Sequence, residues 1–78
     1  MELYQLKTFA AVADTGNLSR AAEMLHTSQP AITAQIKALE AEFGVTLFER
    51  TGAGLHMTEA GQKTFTEILA ESLREVVP

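Results

Sequence analysis

Residues 27–40, TSQPAITAQIKALE, decide the fold, because they have the apolar spacing of a helix but carry a proline near its start. Inside a helix a proline removes a backbone donor and costs ~3 kcal/mol, whereas in the first turn that donor has no intrahelical partner. The helix is therefore predicted to begin close to Pro30. Ser28 is the candidate N-cap, since its hydroxyl can accept a hydrogen bond from a first-turn N–H group.

Two shorter helices are predicted before this segment. Apolar residues recur at helical spacing over residues 2–14, and Thr15 and Gly16 end that pattern. Asn17 is a suitable cap for a second, short helix within LSRAAEMLH, and a tight turn follows at residues 26–27. The third helix then runs toward Phe43 and is predicted to end at Gly44. Its core face is defined by Ile32, Ile36, Leu39 and Phe43.

The residues after Gly44 differ in character. Two short apolar stretches, residues 45–48 and 55–57, flank the turn residues TGAG and predict a small β-hairpin. Thr58 is the candidate cap of a last helix. One broad apolar face of that helix contains Phe65, Ile68, Leu69, Ser72, Leu73 and Val76.

Length and composition exclude several classes of protein. The chain has 78 residues, enough for one small domain, and it contains no cysteine, which excludes disulfides and thiolate zinc sites and suits a reducing cytoplasm. It has no signal-peptide layout and no apolar run of the ~20 residues that a membrane span needs. His26 and His56 lack partners at metal-ligand spacing, and no serine has a His–acid arrangement. The sequence therefore predicts a soluble cytoplasmic domain that is not an enzyme, with no catalytic residue, metal or cofactor.

The distribution of charge is more informative than the net charge of −4. Residues 1–39 hold three acidic and three basic side chains, whereas residues 40–78 hold seven acidic and three basic ones. A nucleic-acid partner normally requires a basic surface, so the net charge argues against one. Because the acidity is confined to the second half, that argument does not extend to the first three helices.

The predicted order of helix, helix, helix, hairpin and helix is that of a mainly α, winged helix-turn-helix domain. In this architecture the second helix of the pair enters the DNA major groove, and its exposed face lies opposite the core face. The candidate DNA-binding residues are Thr27, Ser28, Gln29, Pro30, Thr33, Ala34 and Lys37 in the recognition helix region, with Arg50 in the hairpin.

Each candidate residue has chemistry that suits DNA. Gln29 can form a bidentate contact with adenine, Thr33 can bond a base or touch a thymine methyl, and Lys37 suits guanine or phosphate. Ser28, at the positive end of the helix dipole, suits a phosphate, and a hairpin can carry Arg50 to a minor groove or phosphate. Taken singly, such residues are ordinary solvated surface, and Arg50 can equally pair with a nearby glutamate. Only the constellation indicates DNA binding.

The stretches LSRAAEMLHTSQPAIT, IKALEAEFGVTLFER and MTEAG, together with the Phe9 region, resemble the N-terminal DNA-binding domain of LysR-type bacterial transcriptional regulators. The resemblance covers nearly the whole chain. It implies a winged helix-turn-helix at residues 1–58, with three helices and a small β-hairpin wing, and a long linker helix for dimerisation at residues 59–78. It assigns the DNA contacts to Ser28, Gln29, Pro30, Thr33 and Lys37, with Arg50 in the wing.

The same resemblance implies the partners. It predicts a homodimer through the linker helix, bound to a double-stranded operator with an interrupted inverted repeat, in a bacterial cytoplasm and associated with the nucleoid when bound. The expected interface comprises Phe65, Ile68, Leu69, Ser72, Leu73 and Val76; alternatively, half of these side chains complete the monomer core. Effector binding belongs to a C-terminal part of the family that this sequence lacks, so the chain is expected to be one domain of a longer regulator.

Two positions depart from the family pattern. Ala34 stands where an arginine is often found, and Ala53 stands where the wing frequently has a second basic residue. Both departures remove contacts to phosphate or groove and predict a low affinity for DNA. Two alternatives stay open. One is a winged-helix module for protein–protein assembly, favoured by the sparse cations; the other is a related winged-helix family such as the molybdate-responsive repressors.

Overall fold

The computed structural model of the chain describes residues 1–76, with side chains described through residue 71. It contains α1 (Leu3–Thr15), α2 (Leu18–Met24), α3 (Gln29–Phe43), β1 (Phe48–Thr51), β2 (Gly54–Met57) and α4 (Glu59–Val76). The two strands form one antiparallel hairpin. The observed order confirms the predicted winged helix-turn-helix. None of the helices in the described part combines the length and apolar character that a membrane crossing requires.

Both helices of the helix-turn-helix begin where their capping residues predict. The Asn17 side chain accepts a hydrogen bond from the Arg20 N–H at 3.0 Å and starts α2. Ser28 Oγ accepts one from the Ala31 N–H at 3.2 Å, and Pro30 occupies the second position of α3. Asn and Ser favour cap positions over helix interiors, so these two side chains define where α2 and α3 begin.

The core is centred on Phe9, whose side chain is 0% exposed. Its ring lies edge-to-face against Phe48 at a centroid distance of 5.5 Å and packs against Phe65 at 4.9 Å. Such aromatic pairs add about 0.5–1.5 kcal/mol beyond the burial of their surface. Phe9 therefore joins α1 to both the wing and α4. The predicted core face of α3 is confirmed, because Ile32, Ile36 and Leu39 are buried and Phe43 packs against them.

The wing starts later than predicted. Residues 45–47 lie outside the hairpin, and the register pairs Phe48 with Met57 and Thr51 with Gly54. The reason is that the backbone of Leu47 is bonded elsewhere: its N–H donates to Glu40 Oε2 at 2.8 Å, and its carbonyl accepts the Thr58 N–H at 2.9 Å. Leu47 thereby links the end of α3 to the start of α4 and is itself fully buried.

The start of α4 crosses the backbone of Leu47 at close range. Thr58 caps the helix as predicted, with its Oγ1 accepting the Gly61 N–H at 2.9 Å. A Cβ atom at Gly61 would lie 2.9 Å from the Leu47 carbonyl carbon and closer still to its oxygen. Only a residue without a side chain fits this crossing.

The wing is fastened to the loop between α1 and α2. The Leu55 N–H donates to the Gly16 carbonyl at 2.9 Å, so β2 bonds to β1 on one edge and to this loop on the other. Gly54 has a φ of 115°, and a Cβ there would lie 2.7 Å from the Gly16 oxygen. The backbone contact and the left-handed conformation both require glycine. The wing is therefore held by this main-chain contact in addition to the packing of Phe48 against Phe9.

The structure reduces the number of α4 residues that can form the predicted dimer interface. Ile68 is 8% exposed and Phe65 packs against Phe9, so both side chains complete the monomer core. This agrees with the alternative in which part of the apolar face is internal, and it makes Ile68 unsuitable for a contact between chains. Leu69 remains available, since 42% of its surface is exposed. The side chains of Ser72, Leu73 and Val76 lie outside the described residues.

Candidate nucleic-acid interface

The exposed face of α3 carries the predicted recognition residues together. Gln29, Pro30, Ala34 and Lys37 are exposed, and Thr33 is partly so. All five line one open depression on the surface, opposite the buried side of the helix: Gln29, Pro30, Thr33, Ala34 and Lys37. These side chains provide polar groups, apolar groups and one positive charge, which are the groups that base hydrogen bonds and thymine methyl contacts use.

The N-terminal end of α3 offers fewer backbone donors than its dipole suggests. Ser28 Oγ already accepts the Ala31 N–H, and Pro30 has no N–H. Two of the first-turn positions thus cannot donate to a ligand, although the Ser28 hydroxyl can still donate its own hydrogen. The partial positive charge of the helix end remains, and the Ser28 hydroxyl is the side-chain donor at this end of the helix.

The turn before α3 is tightly bonded. The Thr27 N–H donates to the Ala22 carbonyl at 2.9 Å, and His26 has a φ of 54°, a left-handed conformation that is uncommon for residues other than glycine. Thr27 itself is exposed beside the start of α3. Thr27 thus lies next to the exposed face of α3, while its N–H group is bonded within the turn; its contact with DNA stays a prediction.

Gln29 has a partner that sequence reasoning missed. Ser19 Oγ donates to Gln29 Oε1 at 3.1 Å, which connects the second residue of α2 to the first residue of α3. Both side chains are exposed. The two residues are ten positions apart on different helices, and no periodicity relates them. Only the angle between the helices brings them together.

Arg50 and Gln29 line the same polar cleft, which has a volume of about 190 Å³ and lies between the wing and the helix-turn-helix. The other lining residues include Asn17 and Ser19. Among the residues that the structure describes, Arg50 makes no salt bridge, and Glu40 instead accepts the Leu47 N–H. The guanidinium is therefore available beside the recognition helix. Ala53, at the tip of the wing, is exposed and adds no charge.

Three helices, a tight turn between the second and third, and a two-stranded wing define this chain as a winged helix-turn-helix protein. Residues 3–62 match the family described as bacterial regulatory helix-turn-helix proteins of the lysR family, and the chain belongs to that family. The family resemblance seen in the sequence is thereby confirmed.

Relatives and solved structures agree on this assignment. The chain is 57% identical over 67 residues to the HTH-type transcriptional regulator ClcR of Pseudomonas putida. The aligned residues cover 86% of this chain and 22% of that protein. It is 46% identical over 78 residues to the RuBisCO operon transcriptional regulator of Allochromatium vinosum, covering 97% of this chain and 26% of the relative. These relatives are transcriptional regulators and not enzymes, which supports the same expectation here. The chain spans about a quarter of their length.

The structure is also similar to a domain solved together with DNA. The crystal structure of the CbnR_DBD–DNA complex superimposes with a TM-score of 0.81 at 47% identity, covering 96% of this chain and 90% of that one. The structure described as full-length CbnR complexed with target DNA gives 0.80 at the same identity, and this chain covers 27% of it.

Proposed function

We propose that this chain binds double-stranded DNA sequence-specifically as the DNA-binding module of a LysR-type transcriptional regulator. In this proposal α3 lies in the major groove, and the wing brings Arg50 to the minor groove or the backbone. The observation that carries the proposal is the shared exposed face of α3, where Gln29, Thr33 and Lys37 stand together opposite the core. The similarity to a domain complexed with DNA supports it.

The proposal extends to a homodimer on an operator with an interrupted inverted repeat. Two linked half-site readers bind more tightly than one, because the second binding event becomes intramolecular. Effector binding is proposed for a C-terminal part of the regulator, and the place of action is the bacterial cytoplasm, at the nucleoid when DNA is bound. The division into a reading domain at residues 1–58 and a linker helix at residues 59–78 is part of this proposal, although Gly61, Phe65 and Ile68 pack with the first unit.

Gln29→Ala tests the base-reading role. We expect it to weaken binding to a selected duplex by ~1–3 kcal/mol, since a bidentate contact to a base is lost, while the thermal unfolding midpoint barely changes. The duplex is first selected from a random library by the wild-type chain, and fluorescence anisotropy then gives the affinities. Lys37→Ala is the comparison: it should weaken binding to selected and scrambled duplexes alike if Lys37 bonds phosphate. An equal loss on both duplexes for Gln29→Ala would refute base reading.

The salt dependence of binding distinguishes DNA recognition from protein–protein assembly. Assembly is the alternative that the net charge of −4 favours. Lys37 and Arg50 supply two cations per protomer at the proposed interface, so a dimer should give a slope of about −3.6 in log K against log salt. The measurement is an anisotropy titration between roughly 50 and 200 mM salt. Arg50→Ala should reduce the magnitude of the slope. An absence of DNA binding at low salt would favour an assembly module.

Leu69→Glu tests dimerisation through α4. Leu69 is an exposed apolar residue, so a carboxylate there should disfavour contact with a second chain without disturbing the core. We expect the mass in sedimentation equilibrium to fall from that of a dimer toward that of a monomer. Lys63→Glu, at an exposed position on the polar face of the same helix, is the control and should keep the dimer mass. An unchanged mass for Leu69→Glu would remove this residue from the interface.

A further inference from the structure

The hydrogen bond between Ser19 and Gln29 connects an unassigned residue to the side chain proposed to read a base. Ser19 follows the first residue of α2 and does not belong to the exposed face of α3. Gln29 lines both that face and the polar cleft that Ser19 lines. Its side chain therefore lies at the boundary of the two surfaces, and Ser19 holds the carbonyl end of its amide toward the cleft.

We propose that Ser19 is a positioning residue that orders the Gln29 amide for base recognition, an inference that rests on the proposed function. A glutamine side chain has three rotatable bonds, and fixing them costs conformational entropy when the ordering occurs on binding. The bond from Ser19 orders the side chain before DNA arrives. The free chain then carries the amide in a fixed direction, and the cost at the moment of binding is smaller.

The direction of the hydrogen bond from Ser19 also determines which amide atoms of Gln29 are free to bond DNA. Ser19 donates to Oε1, so both N–H groups of Nε2 stay free, and the second lone pair of Oε1 can still accept. This combination can donate to the N7 atom of a purine and accept from the N6 group of adenine. Ser19 thus acts on specificity through Gln29 and needs no contact of its own with a base.

Direct contact of Ser19 with a phosphate is the competing explanation for any loss of binding in a Ser19 variant. The two explanations predict different couplings. A positioning residue loses its effect once Gln29 is removed, whereas a phosphate contact contributes equally with or without Gln29 and equally on every sequence. A double-mutant cycle measured on two DNA sequences therefore distinguishes them.

The cycle comprises the wild-type chain, Ser19→Ala, Gln29→Ala and the double variant. Each binds a duplex selected from a random library by the wild-type chain, and a scrambled duplex of the same composition. We expect Ser19→Ala to weaken binding to the selected duplex by about 3- to 10-fold, because one hydrogen bond is lost. The affinity for the scrambled duplex should not change. In the Gln29→Ala background Ser19→Ala should have no further effect. Ser19→Thr keeps the hydroxyl and should restore the affinity.

Equal losses from Ser19→Ala in both backgrounds, or on both duplexes, would overturn the positioning role. Failure of the wild-type chain to select any duplex would overturn the proposed function itself. Normal selection by the wild-type chain, together with an unaffected Ser19→Ala variant, would overturn only the role of Ser19.

A second measurement needs no DNA. Nitrogen-15 relaxation of the Gln29 side-chain amide in the free chain reports its order on the picosecond to nanosecond timescale. The order parameter should fall in Ser19→Ala and return in Ser19→Thr, while the amide of Gln62, exposed on α4, stays unchanged in both. Equal order of the Gln29 amide in the wild-type and Ser19→Ala chains would overturn the inference.

Discussion

Phe9→Ala is expected to destabilise the domain by about 3–5 kcal/mol. Phe9 is fully buried and contacts both Phe48 and Phe65, so its removal leaves a cavity at the point where α1, the wing and α4 meet. A chain of this size has a total stability of roughly 4–12 kcal/mol. The variant should therefore lose a large part of the stability of the domain, and any accompanying loss of DNA binding would follow from the weakened fold.

Urea denaturation followed by circular dichroism measures this effect, with the slope of the transition checked for a change in the unfolded state. Tyr4→Ala is the matched control, since it removes an aromatic side chain from the same helix at an exposed position and should change stability by no more than ~0.5 kcal/mol. Phe9→Leu should fall between the two, because it keeps most of the apolar volume and loses the ring contacts. A loss below ~1 kcal/mol for Phe9→Ala would contradict the central position of this ring.

Gly61→Ala is expected to destabilise the domain by about 3 kcal/mol, although alanine is the better helix former by ~1 kcal/mol. The added methyl group would overlap the Leu47 carbonyl, which also accepts the Thr58 N–H that starts α4. Backbone cannot yield as a flexible side chain does, so α4 must move away from the core or lose this hydrogen bond. Either change exposes apolar surface around Leu47.

The control for Gly61→Ala is Ala70→Gly, an exposed exchange in the same helix that measures helix propensity alone. That variant should lose ~1 kcal/mol, and Gly61→Ala would gain a similar amount if propensity alone applied. Thermal unfolding distinguishes a loss of stability from a gain, since each kcal/mol shifts the unfolding midpoint by about 4–8 °C for a domain of this size. A rise in the unfolding midpoint for Gly61→Ala would show that α4 does not cross Leu47 at the described distance.

Local signals in the sequence predicted much of the fold. The caps at Asn17, Ser28 and Thr58 were correct because capping depends on one side chain and the N–H groups two or three residues later. The core face of α3 was correct because helical periodicity is a property of a single segment. The candidate residues on its opposite face share a surface for the same geometric reason, and their contacts with DNA remain a proposal.

Local sequence signals did not predict the contacts between segments. Gly61 looks like an ordinary weak helix former in the sequence, and only the path of Leu47 makes it indispensable. The apolar face of α4 was visible, but periodicity does not say whether Ile68 faces the same chain or another one. The late start of β1 depends on the bonds that Leu47 makes to Glu40 and Thr58. The partner of Gln29 depends on the angle between two helices.

The attachment of the wing to Gly16 has a consequence for the proposed recognition of DNA. Because Leu55 is bonded to the loop at the base of α2, Arg50 and the exposed face of α3 are separated by a span that the protein cannot easily adjust. The distance between the wing and α3 is therefore fixed. A DNA site whose minor groove lies at the wrong offset from its major-groove bases must deform to fit, so groove geometry becomes a second criterion for selection.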